Sequence, residues 1–540
     1  MITEPSVPSA VSVAVGQQRR ARWDTRAVAL ARRHWILLVL LTAGAALRVV
    51  TQIAYRPALF YIDSYKYLTG SAGNDPEGYR YLLAPLLRAG NLAVVPAFQH
   101  LLGLAMALAI YTVLVRRGAP RWAGALAAGP ILLDAYQLQM EQTIMPDVTF
   151  EAFILGGLTI LLWKPRPGLK RLITGALVMG MAADVRQVGE ILIIPAAVFA
   201  VLAGRGWWRR AAYLVAGGVS CAIPMLVYMT ISQATGNGFT LAAQHQNVFY
   251  GRAAVAANCS TLKLPADEKS LCPTPAFTAR GIDQIINDAN GPLESYQPPP
   301  GKTAPSAING FVVQVAKQQP LAIPLSTLRD AGRLFALTRD GAPSITQISR
   351  WQFQHTYATF PPGVTLPFVA TQGQHYGGGG PKTIKPLATF LRDYQLYGGY
   401  TPGPLLAAMT AAGAAGSLFV FARRRKNPPR DNPLRDNSLR GNPPSGSPPG
   451  DDFQLLAAGT LLATLTAVAV LLSSDFFEFS WRYQLPALVT LPLAGVLGGT
   501  LIAGRLSSDP AWRRAWPRRP GVSRTRWPAG RRGRNRPRTA

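Results

Sequence analysis

Apolar residues along this chain are gathered into long blocks, separated by stretches of polar and charged residues. A bilayer core of roughly 30 Å is crossed by about 20 apolar residues in a helix. Several blocks meet that length, and the shorter ones come close to it. The pattern therefore predicts an all-α polytopic membrane protein with about ten transmembrane helices. The blocks cover residues 35–54, 92–115, 122–138, 148–163, 172–185, 187–204, 211–232, 402–422, 453–473 and 484–504.

The spacing of the blocks divides the chain into seven early helices, a long polar segment and three late helices. The polar segment is rich in Pro, Gly, Gln and aromatic residues, which favours a small domain of mixed structure. A later Pro- and Asn-rich stretch has too little apolar surface to offset the entropy of ordering, so we expect a disordered linker. The predicted order is a basic cytoplasmic N-terminus (1–34), a transmembrane core (35–232) with outside loops at 56–91 and 139–147, an extracytoplasmic segment (233–401), a helix (402–422), a cytoplasmic linker (423–452), two helices (453–504) and a basic cytoplasmic tail (505–540).

The charge of the chain supports this topology. The formal net charge is +29, from 55 Lys and Arg against 26 Asp and Glu. If the N-terminus is cytoplasmic, every basic cluster falls on the cytoplasmic side, as the positive-inside rule requires. The excess charge then favours anionic membrane lipids, with no specific nucleic acid as a partner. We expect a multi-pass plasma-membrane protein with both termini cytoplasmic and with the first block as a retained anchor.

The three cysteines differ in their predicted surroundings. Cys221 lies in an apolar block, whereas Cys259 and Cys272 lie in the polar segment outside the membrane. Two cysteines in an oxidising compartment favour a disulfide between them, and two free thiols are the alternative.

Charged residues also recur near the outer ends of the predicted helices. Cations at outer ends oppose the positive-inside trend and therefore need a local explanation. The candidates are Asp63 in "YIDSYKYL", Glu141 and Asp147 in "QMEQTIMPDVTFEAF", Arg186 in "AADVRQVGEILIIP", and Arg482 with Tyr483 in "FEFSWRYQLPALV".

Two further charges, Arg48 and Asp134, fall inside apolar blocks, where an unpaired charge is costly. An Arg48–Asp134 ion pair is the simplest expectation for both.

Carboxylates and arginines on one face of a membrane suit the transfer of a sugar from a lipid phosphate. A phosphate leaves without a general acid, whereas the attacking hydroxyl benefits from a carboxylate base. The planar fork of an arginine matches the oxygens of the departing phosphate.

The order of these motifs resembles the GT-C superfamily of polyprenyl-phosphate-dependent glycosyltransferases, which includes protein O-mannosyltransferases and aminoarabinose transferases. "YIDSYKYL" stands where that family has its first acidic motif, and Ser64 replaces the frequent second acid. The resemblance implies a helical GT-C-like membrane core and inverting transfer from a polyprenyl-phospho-sugar to a glycan, lipid or protein acceptor. It assigns Asp63 to the position of the family's catalytic acid, and both Glu141 and Asp147 are eligible as the acid of the second acidic motif. It also points Arg186, Arg482 and Tyr483 at the donor phosphate. No cofactor is firmly implied. A divalent metal stays open as an alternative, although no clear ligand set supports it.

Simpler interpretations stay open for these residues. Asp147 would also suit the start of a helix, Arg186 could pair with Glu190, and Arg482 could pair with Asp475 or Glu478. Two other functions also remain, a lipid-linked polysaccharide polymerase or ligase and a polytopic transporter or flippase. The ligase alternative rests on the long polar segment. A transporter would be expected to show repeated halves and charges at the midplane, and no repeat is evident.

Overall fold

A computed structural model describes residues 10–70, 75–236, 238–242, 245–361, 363–422 and 449–508. Most of the predicted linker, most of the basic C-terminal tail and the first nine residues of the basic N-terminus lie outside the described residues.

The described residues form helices joined by short connections. The first half contains α1 (Ala10–Ala54), α2 (Ile62–Thr69), α3 (Gly78–Leu87), α4 (Val94–Arg116), α5 (Arg121–Ala127), α6 (Gly129–Leu133), α7 (Ala135–Gln142), α8 (Asp147–Leu162), α9 (Leu169–Val185), α10 (Ile193–Ala203) and α11 (Gly206–Ala234). The second half contains α12 (His245–Ala256), α13 (Pro275–Arg280), α14 (Ile282–Asn287), α15 (Ala304–Gln318), α16 (Ala322–Gly332), α17 (Leu366–His375), α18 (Lys385–Leu396), α19 (Gly403–Ala422), α20 (Pro449–Phe477) and α21 (Ala487–Ser508). Short 3-10 helices occur at Gln187–Leu192, Ala266–Leu271, Arg333–Phe335, Ile348–Trp351 and Trp481–Gln484.

Five helical stretches in the described part of the chain are long and apolar enough to cross a membrane, and they identify a membrane protein. They are Val28–Ala54, Val94–Arg116, Gly206–Ala234, Phe453–Phe477 and Trp481–Gly504. Gln187–Ala203 and Gly403–Phe419 are apolar but shorter. A total of about ten membrane spans stays a prediction.

The block at 122–138 departs from the expected single helix. It is divided into α5, α6 and α7, and the breaks have local causes. Pro130 stands near the start of α6, where its missing N–H costs nothing. Asp134 then leaves helical geometry, and its side chain accepts a hydrogen bond of 3.0 Å from the Tyr136 N–H, so Asp134 caps α7.

Close helix packing in the first half depends on small residues. α9 packs against both α8 and α11. A β-carbon on Gly180 would lie 2.0 Å from the carbonyl oxygen of Cys221, and one on Gly157 would lie 2.8 Å from that of Gly175. Glycine at these positions allows the backbones to touch, which stabilises helix pairs where no water-driven force acts between them.

The segment after α11 is helical rather than mixed. α12–α18 are joined by irregular chain, and the segment's described strand, β2 (Lys382–Thr383), pairs antiparallel with β1 (Tyr55–Arg56) after α1. The fully buried Arg252 on α12 fixes this segment to the core. Its guanidinium donates to Asp330 on α16 at 2.8 Å and to the carbonyl of Phe476 on α20 at 2.9 Å. The segment therefore packs against the chain that leads into the Trp481–Gln484 turn.

Candidate active site

Asp63 lies in the first turn of α2, where the helix dipole favours a negative charge. The turn is fixed by Ser64, whose hydroxyl accepts a hydrogen bond from the Tyr61 N–H at 2.8 Å and donates one to the Ile144 carbonyl at 2.8 Å. Ser64 thus ties α2 to the connection between α7 and α8. The position at which the GT-C family often has a second acid is used here to hold the backbone.

Asp147 is the first residue of α8, after Pro146, and its side chain is almost fully buried. Arg482 donates to it through Nε, at 3.0 Å to Oδ1 and 3.1 Å to Oδ2. Arg186, which ends α9 in an extended conformation, donates to the same Oδ1 through Nη1. Two arginines from opposite halves of the chain therefore meet on one buried carboxylate.

Arg482 also reaches Asp63, so that it bridges the two acids. Its Nη1 donates to Oδ2 of Asp63 at 3.0 Å. Aromatic rings surround the guanidinium, with its central carbon 5.3 Å from the centre of Tyr483, 5.4 Å from Trp351 and 5.8 Å from Tyr61. The rings hold the guanidinium in place by cation–π contact and keep water from its faces.

Arg186 and Lys66 complete the cluster at its two ends. The central carbon of the Arg186 guanidinium lies 4.8 Å from the centre of the Tyr483 ring. Lys66 lies 3.4 Å from Oδ1 of Asp63 and 2.9 Å from Oδ2 of Asp75. The side chain of Asp147 is 2% exposed, that of Asp63 22% and that of Lys66 29%, so the cluster opens to solvent at the Asp63 end.

The cations around Asp63 decide its protonation. Burial acts to raise the pKa of Asp63, but the charges of Arg482 and Lys66 outweigh it and hold that pKa below its ordinary value. The pKa of Lys66 is raised, because Asp63 and Asp75 outweigh the opposite effect of burial. At neutral pH Asp63 is therefore a carboxylate beside two cations, Arg482 and Lys66.

Glu141, the other predicted acid, lies elsewhere. Its side chain is fully buried and accepts hydrogen bonds from Arg48 on α1 at 2.7 Å and from Nδ1 of His100 on α4 at 2.8 Å. Arg48 also donates to the carbonyls of Ile131 and Leu132, both at 2.9 Å. This cluster joins three helices in the interior and does not touch Asp63 or Asp147.

The expected Arg48–Asp134 pair is not formed. Asp134 instead accepts two hydrogen bonds from Arg339, at 3.1 and 2.6 Å. The expectation was wrong because Arg339 comes from the distant chain after α16, which the pattern of apolar blocks did not place near α6. The local alternatives for Arg186 and Arg482 are not the contacts that form either. Arg186 meets Asp147 rather than Glu190, and Arg482 meets Asp63 and Asp147 rather than Asp475 or Glu478.

Sequence reasoning missed Lys66, Trp351 and Arg350 as neighbours of the site. Arg350 donates to the Tyr61 hydroxyl at 3.1 Å. Lys66 had a signal, because it lies one helical turn after Asp63. Trp351 and Arg350 had none, since they reach the site from a segment predicted to be a separate region.

The donor set does not suit a metal ion. Arg482 occupies the space between Asp63 and Asp147 and donates to both carboxylates, so their facing oxygens already have a cationic partner. Over the described ranges, no group of three or more His, Cys, Asp or Glu side chains is placed to hold a metal. The structure joins Cys259 and Cys272 by a disulfide and buries Cys221 as a free thiol.

No family model and no curated protein matches the chain. Among solved structures, the chain is similar to the oligosaccharyltransferase of Archaeoglobus fulgidus in the apo form, with 15% identity and a TM-score of 0.40 over 91% of this chain and 53% of the other. It is also similar to that organism's oligosaccharyltransferase AglB in complex with an inhibitory peptide and a dolichol-phosphate, with 13% identity, a TM-score of 0.33 and coverage of 91% and 53%. A third similar structure is ArnT from Cupriavidus metallidurans in the apo state, with 16% identity, a TM-score of 0.30 and coverage of 87% and 78%.

The chain spans about half the length of the archaeal oligosaccharyltransferase that it matches, 53%. Every TM-score is below 0.5, so the activity has to be inferred from the side chains of the site.

Proposed function

We propose that the protein is an inverting membrane glycosyltransferase that moves a sugar from a polyprenyl-phosphate donor to an acceptor hydroxyl outside the cytoplasm. The observation that carries the proposal is the bridge of Arg482 between Asp63 and Asp147, with Arg186 on the same carboxylate. A charged base thus lies directly beside the cations that a departing phosphate needs.

The transfer takes place in a single displacement. The acceptor oxygen attacks the anomeric carbon while its proton passes to the Asp63 carboxylate. The bond from the anomeric carbon to the phosphate oxygen breaks on the opposite face, and the phosphate leaves with the electron pair. Inversion at the anomeric carbon follows from attack opposite the leaving group.

The arginines stabilise the departing phosphate. The contacts of Arg482 with Asp63 and Asp147 use Nη1 and Nε. In this proposal the remaining nitrogen, Nη2, donates to a phosphate oxygen. Asp147 holds both arginines in place and offsets their repulsion before the donor arrives. In this proposal Asp147 is a positioning residue and Tyr483 supports the Arg186 guanidinium.

The transporter alternative has one observation in its favour, the charged cluster of Arg48, Glu141 and His100 among helices of the core. Charges in such places often mark an ion or substrate path. Here Arg48 also donates to three carbonyls, including that of Gly44 at 3.1 Å, which gives the cluster a structural purpose.

The test compares Asp63→Asn with the wild type at matched abundance in membranes supplied with radiolabelled polyprenyl-phospho-mannose or polyprenyl-phospho-arabinose. Loss of the base should lower transfer by roughly 10²- to 10⁴-fold. Asp393→Asn makes the same chemical change on the exposed face of α18 and should transfer normally. Equal transfer in Asp63→Asn would remove Asp63 from the mechanism. No transfer from either donor, even by the wild type, would favour the transporter or the ligase.

A further inference from the structure

A cavity of about 430 Å³ lies next to the Asp63 cluster, between α13, α14, the chain at 342–350 and Glu478. Its volume falls within the range of roughly 300–1,000 Å³ that is usual for small-molecule sites. The cavity belongs to neither the charged cluster nor the buried Glu141 network. It is formed where the segment after α11 meets the connection between α20 and α21.

Arg350 forms a wall common to the cavity and the candidate active site. It lines the cavity, and it also donates to the Tyr61 hydroxyl at 3.1 Å. The Tyr61 ring in turn faces the Arg482 guanidinium. The contacts therefore run from Arg186 through Asp147 and Arg482 to Asp63 and Tyr61, and then to the cavity. Along this path of contacts, Arg186 stands at one end and the cavity at the other.

The lining is polar and carries charged groups of both signs. Asp283 and Glu478 stand against Arg280 and Arg350, and Gln284, Thr346 and Gln347 add neutral donors and acceptors. Arg350 lies 3.9 Å from Asp283, and Arg280 donates to Gln284 at 2.7 Å. Such a lining offers many hydrogen-bond donors and acceptors together with carboxyl groups, which suits an uncharged ligand with many hydroxyls rather than a phosphate.

Glu478 is the most buried of these polar groups. It accepts a hydrogen bond from the Thr346 hydroxyl at 2.8 Å through Oε2, and its Oε1 faces the first turn of α14. Burial, aided by the Asp283 carboxylate, raises the pKa of Glu478 to about 7. A carboxyl group with that pKa can both donate and accept hydrogen bonds near neutral pH.

A backbone outlier lies in the chain beside the cavity, between the lining residues Ala342 and Ile345. Ser344 has a φ of 62°, and it is the one described residue other than glycine with a positive φ. Its N–H donates to the Ala279 carbonyl at 2.8 Å, which joins the 342–350 chain to α13. Conformations of this kind cost free energy and cluster at binding sites.

We infer that this cavity binds the acceptor, and that the acceptor is a neutral carbohydrate whose hydroxyl groups bond to Gln284, Gln347 and Glu478. The inference rests on the proposed function, because it requires a sugar donor at the Arg186 end. A carbohydrate in the cavity would present a hydroxyl past Arg350 and Tyr61 to the Asp63 carboxylate. The acceptor and the leaving phosphate then lie on opposite sides of the anomeric carbon, as inversion demands.

The first test fills the cavity. Ala342→Phe places a ring in the space, and Ala276→Phe places the same ring on α13 outside the lining. Transfer is measured with mannotetraose, arabinotetraose and maltotetraose as soluble acceptors, and release of free sugar from the donor to water is measured in parallel. Ala342→Phe should raise the acceptor KM by about tenfold and leave donor hydrolysis and the donor KM unchanged. Ala276→Phe should match the wild type.

An unchanged acceptor KM in Ala342→Phe would overturn the inference, whereas a wild type that neither transfers nor hydrolyses the donor would overturn the proposed function.

The second test does not depend on activity. The free cysteine, Cys221, is buried, so a thiol introduced by Ala342→Cys is selectively alkylated by a polar maleimide. The three tetrasaccharides should slow alkylation at position 342 and not at position 276 in Ala276→Cys. Protection by none of them would overturn the inference. Protection by the polyprenyl-phospho-sugar alone would assign the cavity to the donor sugar and would also overturn it.

Discussion

At the scale of single residues, Arg482 determines the character of the site. It contacts two carboxylates at once through different nitrogens, and three aromatic rings fix the plane of its guanidinium. A lysine ammonium is a single point of charge without a planar fork, so it cannot reproduce the separate Nε and Nη1 contacts or stack flat between rings. We therefore expect Arg482 to bind the phosphate through the fixed geometry of its guanidinium as well as through its charge.

Arg482→Lys should lower kcat/KM for the lipid donor by roughly 10²-fold, the cost of removing one fixed donor from a developing anion. Donor transfer by purified protein in detergent measures the effect. Arg329→Lys, on the exposed face of α16, is the matched control and should leave kcat/KM unchanged. A normal kcat/KM in Arg482→Lys would show that the fork of this arginine does not bind the phosphate.

The protonation of Asp63 gives a second prediction. Its pKa lies below the ordinary value of 3.8, so the carboxylate stays charged as the pH falls from neutral to about 5. We expect kcat/KM to be flat over that interval and to fall only at lower pH. Lys66→Met removes one of the cations that lower the pKa of Asp63, so the acid limb should move to higher pH.

A pH profile of transfer for the two proteins checks this. Superimposable acid limbs would mean that Lys66 does not act on the titrating group. The Asp63 ion pairs also make the stability of the folded protein depend on pH. Because the pKa of Asp63 is lowered in the folded protein, these pairs stabilise it fully above the pKa of the unfolded chain. The stabilisation is lost as the pH falls through the pKa of the folded state.

At the scale of helices, the Arg48–Glu141–His100 cluster joins α1, α7 and α4 inside the core. A charge buried there is tolerable because it is paired and because Arg48 also bonds to backbone carbonyls. Gly103 on α4 belongs to the same contact, since a β-carbon at that position would lie 2.1 Å from Oε1 of Glu141. The cluster therefore fixes how closely α4 approaches α7.

Glu141→Ala leaves Arg48 buried without its anionic partner, and this should lower the free energy of unfolding by about 3–5 kcal/mol. Thermal melting of the detergent-solubilised protein measures the loss, with Glu190→Ala as an exposed control that should melt as the wild type does. Transfer per folded molecule should change far less than in Asp63→Asn. Normal melting together with lost transfer would instead show that Glu141 takes part in catalysis, as the second acidic motif predicts.

At the scale of the whole molecule, the segment after α11 is part of the site rather than an appendage. It supplies Trp351 beside Arg482 and Arg350 beside Tyr61, and Arg252 anchors it to α20. Arg350 and Tyr61 are 289 positions apart in the sequence, and Arg252 and Phe476 are 224 positions apart.

The predicted sidedness of the chain can be tested by labelling single thiols in intact cells. Ala276→Cys should react with an impermeant maleimide, because it lies in the segment predicted to be outside. Lys170→Cys, in a basic connection predicted to be cytoplasmic, should react only after the membrane is permeabilised. The wild type, with one buried free cysteine and one disulfide, should stay unlabelled. The reverse pattern would place the site on the cytoplasmic side and contradict an extracytoplasmic donor.

The sequence by itself determined the helical membrane architecture and the set of charged candidates. Transfer of a side chain into a bilayer depends on the residue and its near neighbours, so apolar blocks and basic flanks are visible in one dimension. Asp63, Asp147, Arg186 and Arg482 were therefore recognisable as charges at helix ends.

Only the tertiary structure decided which charges meet. Arg482 contacts Asp63 across 419 positions and Asp147 across 335, and Glu141 contacts Arg48 across 93. Ion pairing depends on distances of a few ångströms set by the packing of every helix between the partners. For the same reason, the division of the block at 122–138, the pairing of Asp134 with Arg339 and the cavity beside Arg350 became visible only in three dimensions.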